Sequence, residues 1–346
     1  MFRAGMPLTG GRQLYEVQMN QHVLKKVSTR QSAGNEADPA IPLADHHQHL
    51  FSPTLARVLA TGSSQLPTIT ASEVVALLDA AGIRSALLLS VAYMYGSPAR
   101  TVEDEYAKVR VENDWTGDQA AQHPGRLRAF GSVNPLKAYA LDELTRCASH
   151  PNLGQGIKLH FGNSDVQLDN PAHIEQLRRV FQAANAHRLV IVIHLRTSIS
   201  RQRPYGATQA RVFLEELLPL VPHSPVQIAH LAGSGPGYDD PAAQEAMAVF
   251  AEAVEQGDPR TRQLWFDVAT VVDANVSSAT AGLVAQRIRQ VGIDRTLYGS
   301  DAAVGDNLRP REGWAAFCRL PLREDEFTQI ASNVAPYLRW ADPAGS

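Results

Sequence analysis

Three observations predict an α/β chain of the (β/α)8 TIM barrel class with an N-terminal extension. A strand–helix alternation repeats eight times, apolar runs of strand length recur without polar interruption, and polar residues crowd the far ends of those runs. Runs such as 85–91 and 190–193 are dominated by aliphatic residues, as in a parallel strand covered on both faces. Right-handed crossovers leave either a closed barrel or an open doubly wound sheet. No Gly-x-Gly-x-x-Gly follows the first strand, which disfavours a dinucleotide-binding sheet, and eight clean units favour the barrel.

The first strand is expected over 43–48, where an apolar lead-in ends in Asp45-His46-His47-Gln48-His49. Thr70-Ala-Ser-Glu73 reads as a capping box that opens a helix over 72–81, and Gly82 is its natural stop. The remaining strands are expected over 85–91, 127–133, 156–160, 190–194, 226–230, 264–268 and 295–299. Helices are expected over 102–123, 141–149, 171–187, 208–220, 241–255 and 278–291, then near Trp314 and over 323–338. Asn170 caps the helix over 171–187, with Pro171 at the favoured first position. Residues 1–40 are polar, rich in Gly and Ser, and lack a core of their own. They are read as an arm preceding a barrel domain over 41–346, and as a segment that subunits of a homo-oligomer can exchange.

Composition narrows the function classes. A formal net charge of -3 gives no electrostatic footprint for nucleic acid or an anionic membrane. No apolar run approaches membrane-spanning length, and the first twenty residues carry no apolar leader segment. Cys147 and Cys318 are the only cysteines; two distant thiols predict packing roles and a reducing, cytoplasmic setting. Ala232-Gly-Ser-Gly-Pro-Gly237 lacks the Lys-Ser/Thr of a phosphate loop and reads as a flexible connection. No Gly-x-Ser-x-Gly elbow or Cys/His nucleophile pattern is present.

The chemistry-capable residues fall where a barrel carries its active site, at the C-terminal ends of its strands. In order they are His47 and His49, Tyr93, Asn134, Lys158 and His160, His194, His230, Asp267 and Asp301. Five of the twelve histidines lie there, and Lys158 is one of only five lysines. On a regular strand Asp45, His47 and His49 share one face, with His46 and Gln48 on the other. Two histidines at i and i+2 can reach one metal ion, and imidazole with carboxylate is a set that zinc accepts. The 196–205 segment, with Arg201 and Arg203, reads as a solvated loop or a lid with affinity for anions.

Taken in this order, Asp-x-His-x-His on strand one, His194, His230 and Asp301 resemble the amidohydrolase superfamily, in particular its amidohydrolase-related branch. The late Asn333-Val-Ala-Pro-Tyr-Leu338 is similar to that family's closing segment. The resemblance spans about 43–338. It implies a divalent metal held by His47, His49, His194 and Asp301, with Asp301 also moving a proton. It implies that His230 acts as a base or polarises the scissile carbonyl. Zinc is the first expectation, with manganese, iron and nickel compatible. One ion is favoured, with Lys158 as a cation near a substrate carboxylate or oxyanion; a carboxylated Lys158 would bridge two. Lys158, His160, Arg196 and Tyr93 are the candidate substrate-binding residues. A salt bridge from Lys158 to Asp45 or Asp267 is the structural alternative.

The leading expectation is metal-dependent hydrolysis of a small-molecule amide, lactone or ester-type bond. The second is non-oxidative decarboxylation of an aromatic or unsaturated carboxylic acid. Some decarboxylases of that branch carry Glu-x-His on strand one, whereas this chain carries His-x-His.

Overall fold

In a computed structural model, which describes residues 40–60, 69–153, 155–273, 275–303 and 307–340, eight parallel strands form one sheet in the order β1 to β8. They are β1 (Ala44–Gln48), β2 (Ser85–Leu89), β3 (Leu127–Ser132), β4 (Gly156–His160), β5 (Val190–His194), β6 (Val226–Ile228), β7 (Leu264–Asp267) and β8 (Thr296–Leu297). The seam between first and last strands is crossed by two backbone hydrogen bonds, His46 N–H to the Tyr298 carbonyl at 2.9 Å and Asp301 N–H to the His47 carbonyl at 2.8 Å. The result is a (β/α)8 barrel. The expected arm lies, apart from Ala40, outside the described residues.

Eleven α-helices are described: α1 (Pro53–Leu59), α2 (Ala71–Ala81), α3 (Glu105–Ala121), α4 (Ala140–Ser149), α5 (Phe161–Ser164), α6 (Pro171–Ala186), α7 (Ala207–Val212), α8 (Pro241–Glu255), α9 (Ser278–Val291), α10 (Pro310–Phe317) and α11 (Glu324–Ser332). The Thr70–Glu73 capping box forms, and Gly82 closes α2 in the left-handed region at φ 74°. Asn170 caps α6 through its side chain, with proline at the first turn. Helix α1 escapes the sequence reading, although Ser52-Pro53 is the same kind of start signal: the Ser52 side chain accepts from Leu55 N–H.

Several boundaries move for identifiable reasons. The helix expected over 208–220 is α-helical only to Val212, then widens into a π turn over Phe213–Leu217 and tightens into a 3-10 turn over Leu218–Leu220. Pro219 offers no N–H and its ring crowds the preceding turn, so the regular ladder cannot continue. The last helix stops at Ser332, with Asn333 extended at ψ 118°, and the residue before Pro336 is likewise held out of the helical region, Ala335 at ψ 144°. Strand β6 ends at Ile228, and His230, Leu231 and Ala232 then follow with φ of 54°, 47° and 63°. With Thr270 at 54° and Asp301 at 51°, five non-glycine residues occupy the left-handed region at the ends of β6, β7 and β8. Such conformations cost about 1–3 kcal/mol each and persist where surrounding contacts over-determine them.

Two apolar layers hold the barrel. Outward-facing Leu88, Ile157, Leu159, Ile191, Ile193, Ile228 and Phe266 pack against Leu78, Leu144, Phe181, Phe213, Phe250 and Ile288 of the helices. Each such buried side chain contributes about 1.5–3 kcal/mol. Inside, Leu87, Leu89, Phe130, Val190, Val192 and Leu297 fill the end of the barrel away from His194, and Ala335, Tyr337 and Leu338 of the C-terminal segment close it. Arg128 pins that segment by donating to the Tyr337 carbonyl at 2.7 Å, with its guanidinium 5.1 Å from the Trp340 ring. Cys147 is buried in the outer layer, where its Sγ lies 2.6 Å from where a Cβ on Gly131 would stand. Among the described residues, no helix is long and apolar enough to cross a membrane.

Candidate metal centre and its cavity

The strict two-residue period fails in β1, because pairing with β2 shifts between Asp45 and Gln48. The expectation that Asp45 shares a face with His47 and His49, away from Gln48, is therefore corrected. Asp45 turns to the end of β8 and accepts from Ser300 N–H at 3.0 Å and Ser300 Oγ at 2.6 Å. Gln48 Nε2 donates to the same carboxylate at 2.9 Å, and His47 N–H at 3.1 Å. Burial pushes Asp45 up to about 6 despite these donors. The ring of His46 is engaged at both nitrogens. Nδ1 lies 3.0 Å from the Tyr298 carbonyl, which can only accept, and Nε2 receives Ala335 N–H at 3.2 Å.

His47 and His49 come together by a different route. His47 Nδ1 lies 2.9 Å from Asp267 Oδ2, and His49 Nδ1 lies 2.6 Å from the Leu89 carbonyl oxygen. Asp267 already accepts Gln227 Nε2 at 2.6 Å, His230 N–H at 2.9 Å and Ala269 N–H at 3.1 Å. With His47 as fourth donor the carboxylate has no place for a proton of its own. Burial opposes its charge, but His47 and the His230 N–H hold Asp267 below the usual carboxylate range. Both imidazoles therefore carry their proton on Nδ1 and present a bare lone pair at Nε2. Those lone pairs face each other at 3.2 Å. Asp301 Oδ1 lies 3.6 Å from His49 Nε2 and is buried without a hydrogen-bond partner. His47, His49 and Asp301 each offer a ligand atom within 4.8 Å of the others, as do His47, His230 and Asp267. Converging buried acceptors of this kind fit a cation, and the His/His/carboxylate set suits a divalent metal.

Lys158 Nζ lies 3.3 Å from His47 Nε2. Burial pushes this ammonium down to about 8, against the pull of Asp267 and Asp301. Burial also drives the carboxyl of Asp301 well above its ordinary range, with Lys158 opposing. His47 falls to about 3 through burial and then the Lys158 charge, and burial lowers His49, His160, His194 and His230 as well. The rim histidines are thus neutral.

His230 directs Nδ1 at the Ala269 carbonyl at 2.8 Å, which leaves Nε2 bare. His160 is the opposite tautomer: its Nδ1 accepts Asn163 N–H at 3.1 Å, so Nε2 carries the proton. The His160 ring stacks on His194 with centroids 3.9 Å apart, and the Tyr93 ring lies against His160 with centroids 4.9 Å apart. Burial and then the Asp301 charge raise the Tyr93 phenol, so it stays protonated. A cavity of about 130 Å3 opens over this group. Its wall contains His47, His49, Tyr93, Lys158, His160, His194, His230 and Asp301, with Phe51, Val91, Met94, Asn163 and Ser234.

Arg196 is the predicted site residue that the structure does not bring to this wall. Its Nε donates to Asp240 at 2.6 Å and its guanidinium lies 4.8 Å from the Tyr205 ring, so its charge is already paired. Arg201 and Arg203 are likewise turned to Asp165, at 3.0 and 2.8 Å. Lys158 makes neither of the salt bridges weighed for it among the described residues. Sequence reasoning missed Gln227, which donates to Asp267, and Asn307, whose Nδ2 donates to the Asp301 carbonyl at 2.8 Å. Gln227 lies inside an otherwise apolar strand, and that was the available signal.

The sequence profile of the amidohydrolase family matches residues 44–335. The chain belongs to that family. No curated protein matches it. Among solved structures, this amidohydrolase-family chain is similar to 5-carboxyvanillate decarboxylase from Sphingomonas paucimobilis, at TM-score 0.61 and 17% identity, over 84% of this chain and 97% of that one. It is also similar to a probable 2-pyrone-4,6-dicarboxylic acid hydrolase from Acinetobacter baumannii with citric acid bound, at TM-score 0.54 and 17% identity, over 84% and 96%. A third is a dihydroxybenzoic acid decarboxylase from Polaromonas with bound manganese and 2-nitroresorcinol, at TM-score 0.57 and 16% identity, over 84% and 95%. At these identities the likeness establishes the fold, and the proteins so matched are named for both reaction types.

Proposed function

We propose that this amidohydrolase-family protein is a metal-dependent hydrolase acting on an amide, lactone or ester-type bond of a small molecule that bears a carboxylate. The observation that carries the reading is the meeting of two bare Nε2 atoms, from His47 and His49, with the unpartnered Asp301 Oδ1. His194, on the wall of the same cavity, is the further ligand. Zinc suits this set first; manganese, the ion bound in the Polaromonas decarboxylase, is the alternative. A divalent ion there supplies Lewis acidity, acidifying water towards neutral pH and polarising a carbonyl oxygen.

The protein's own groups do the rest. Asp301 Oδ1 accepts the proton released by water and returns it to the leaving group. The bare Nε2 of His230 is a second acceptor on the cavity wall, which supports a base rather than a donor role. The Lys158 ammonium and the His160 Nε2–H bind a substrate carboxylate or a developing oxyanion, and Tyr93 adds a protonated phenol. This donor set, in a cavity lined by buried side chains, also suits a substrate held for carbon–carbon cleavage. Decarboxylation is therefore the second reading.

One experiment separates the two. Metal-stripped protein is refilled with zinc or manganese and offered lactones and amides bearing a carboxylate, then hydroxybenzoic acids, with acid release and carbon dioxide release followed in parallel. Hydrolysis predicts acid release without carbon dioxide. Asp301→Asn should lose turnover by about 100-fold or more while the fold is kept. Full turnover in a metal-free preparation would falsify both readings.

A further inference from the structure

The C-terminal segment that closes the base of the barrel also reaches the metal centre. Tyr337 OH donates to Gln227 Oε1 at 2.5 Å. Gln227 Nε2 donates to Asp267 Oδ2 at 2.6 Å and to the His46 carbonyl at 3.3 Å. Asp267 Oδ2 takes the His47 Nδ1 proton at 2.9 Å. Each group in this chain is buried.

The polarity of the chain is forced at every link. Turning the Gln227 amide over would set its oxygen against two acceptors, Asp267 Oδ2 and the His46 carbonyl, with no proton between them. The amide therefore keeps its oxygen towards Tyr337 and its NH2 towards Asp267, and the phenol, as the donor to that oxygen, holds it so. With Gln227 and His47 on Oδ2 and two backbone N–H groups on Oδ1, Asp267 remains an acceptor. An acceptor opposite Nδ1 is what leaves the His47 Nε2 lone pair facing the cavity.

We infer that Tyr337 and Gln227 are positioning residues that set the tautomer and orientation of the metal ligand His47 from the far end of the barrel. The inference rests on the metal reading above. Partners of this kind, one step removed from a ligand, change metal affinity by about 10–100-fold when removed. Tyr337→Phe deletes one oxygen atom and leaves the ring in place against Phe130, 5.8 Å away.

The test is a titration of metal-stripped protein with Zn2+ against a competing chelator, on the wild type, Tyr337→Phe, Gln227→Leu and the double variant. Each single substitution is expected to weaken affinity about tenfold. The double variant should be no weaker than Gln227→Leu, because the phenol acts only through the amide. Trp340→Leu, which loosens the same segment beside Arg128 but lies off the chain, should bind as the wild type does. Should Gln227→Leu fail to fold, Gln227→Met replaces it. Single variants within about twofold of wild type, or losses that multiply in the double variant, would overturn the inference. A wild type that binds no ion would instead overturn the metal reading on which it stands.

Discussion

The Nε2 atoms of His47 and His49 face each other at 3.2 Å, and neither carries a proton. Without a cation this juxtaposition is repulsive, and among the described residues Lys158 relieves it from one side. Metal removal is therefore expected to lower the melting temperature. Restoring zinc to 100 times its dissociation constant should return about 2.7 kcal/mol of stability. His47→Ala and His49→Ala should each abolish that gain, as read by thermal melts with and without metal.

His46 immediately precedes the two ligands in sequence but lies outside their chemistry. Its ring satisfies the Tyr298 carbonyl and Ala335 N–H. His46→Ala leaves Ala335 N–H unpaired beside a cavity, while the Tyr298 carbonyl keeps the backbone N–H of residue 46, at a cost of about 2–4 kcal/mol. Metal stoichiometry should be unchanged. Denaturant unfolding and elemental analysis of the same preparation check both halves of this expectation.

Gly299 keeps His47 in place by lacking a side chain. A Cβ there would stand 2.8 Å from His47 Cβ and 3.2 Å from Ala269 Cβ. Gly299→Ala must push the β1 ligand aside, and a misplacement of that order costs about 100-fold in rate. The expected signature is a folded protein with weakened metal affinity and depressed kcat.

Lys158→Met removes the ammonium from the cavity wall but keeps a stem of similar length. Loss of a carboxylate partner should raise KM about tenfold or more for a carboxylate substrate and leave neutral analogues little changed. The same substitution should not weaken metal binding, because the ammonium competes for His47 Nε2. Steady-state kinetics on a matched pair of acid and amide substrates gives the comparison.

Far from the site, Glu326 ties α11 to α9. Arg289 donates to it at 2.7 and 2.8 Å, and Arg323 N–H at 2.7 Å. The Arg289 hydrogen bonds, with the others, lower Glu326 from 4.5 to about 2. A depressed carboxyl stabilises the fold above its unfolded value and loses that contribution as pH falls through its folded one. Glu326→Gln should therefore be less stable than wild type by about 1–2 kcal/mol near neutrality, the partly exposed Arg289 limiting the effect. The gap should close between about pH 4.5 and pH 2.

The barrel was legible because its signals are local: apolar runs for the strands, and Thr70–Glu73, Asn170 and Gly82 for helix ends. The rim residues were legible because strand ends are positions that periodicity can mark. What escaped depends on contacts across long separations. A bulge between Asp45 and Gln48 leaves no mark in residue types, so alternation misassigned Asp45. Arg196 stood two residues after His194 and looked available, but only the fold brings Asp240 and Tyr205 to it. Tyr337 was seen in the closing segment, yet a separation of 110 positions from Gln227 hid their bond.

The candidate centre straddles the seam of the barrel, with His47 and His49 on the first strand and Asp301 just past the eighth. An ion held there would be a clasp joining the beginning of the sheet to its end. A chain still emerging from the ribosome would possess both histidines early but could not fasten them until the last strand arrived. Amide hydrogens at the seam, His46 N–H and Asp301 N–H, are then the ones whose exchange with solvent should quicken first when the metal is withdrawn.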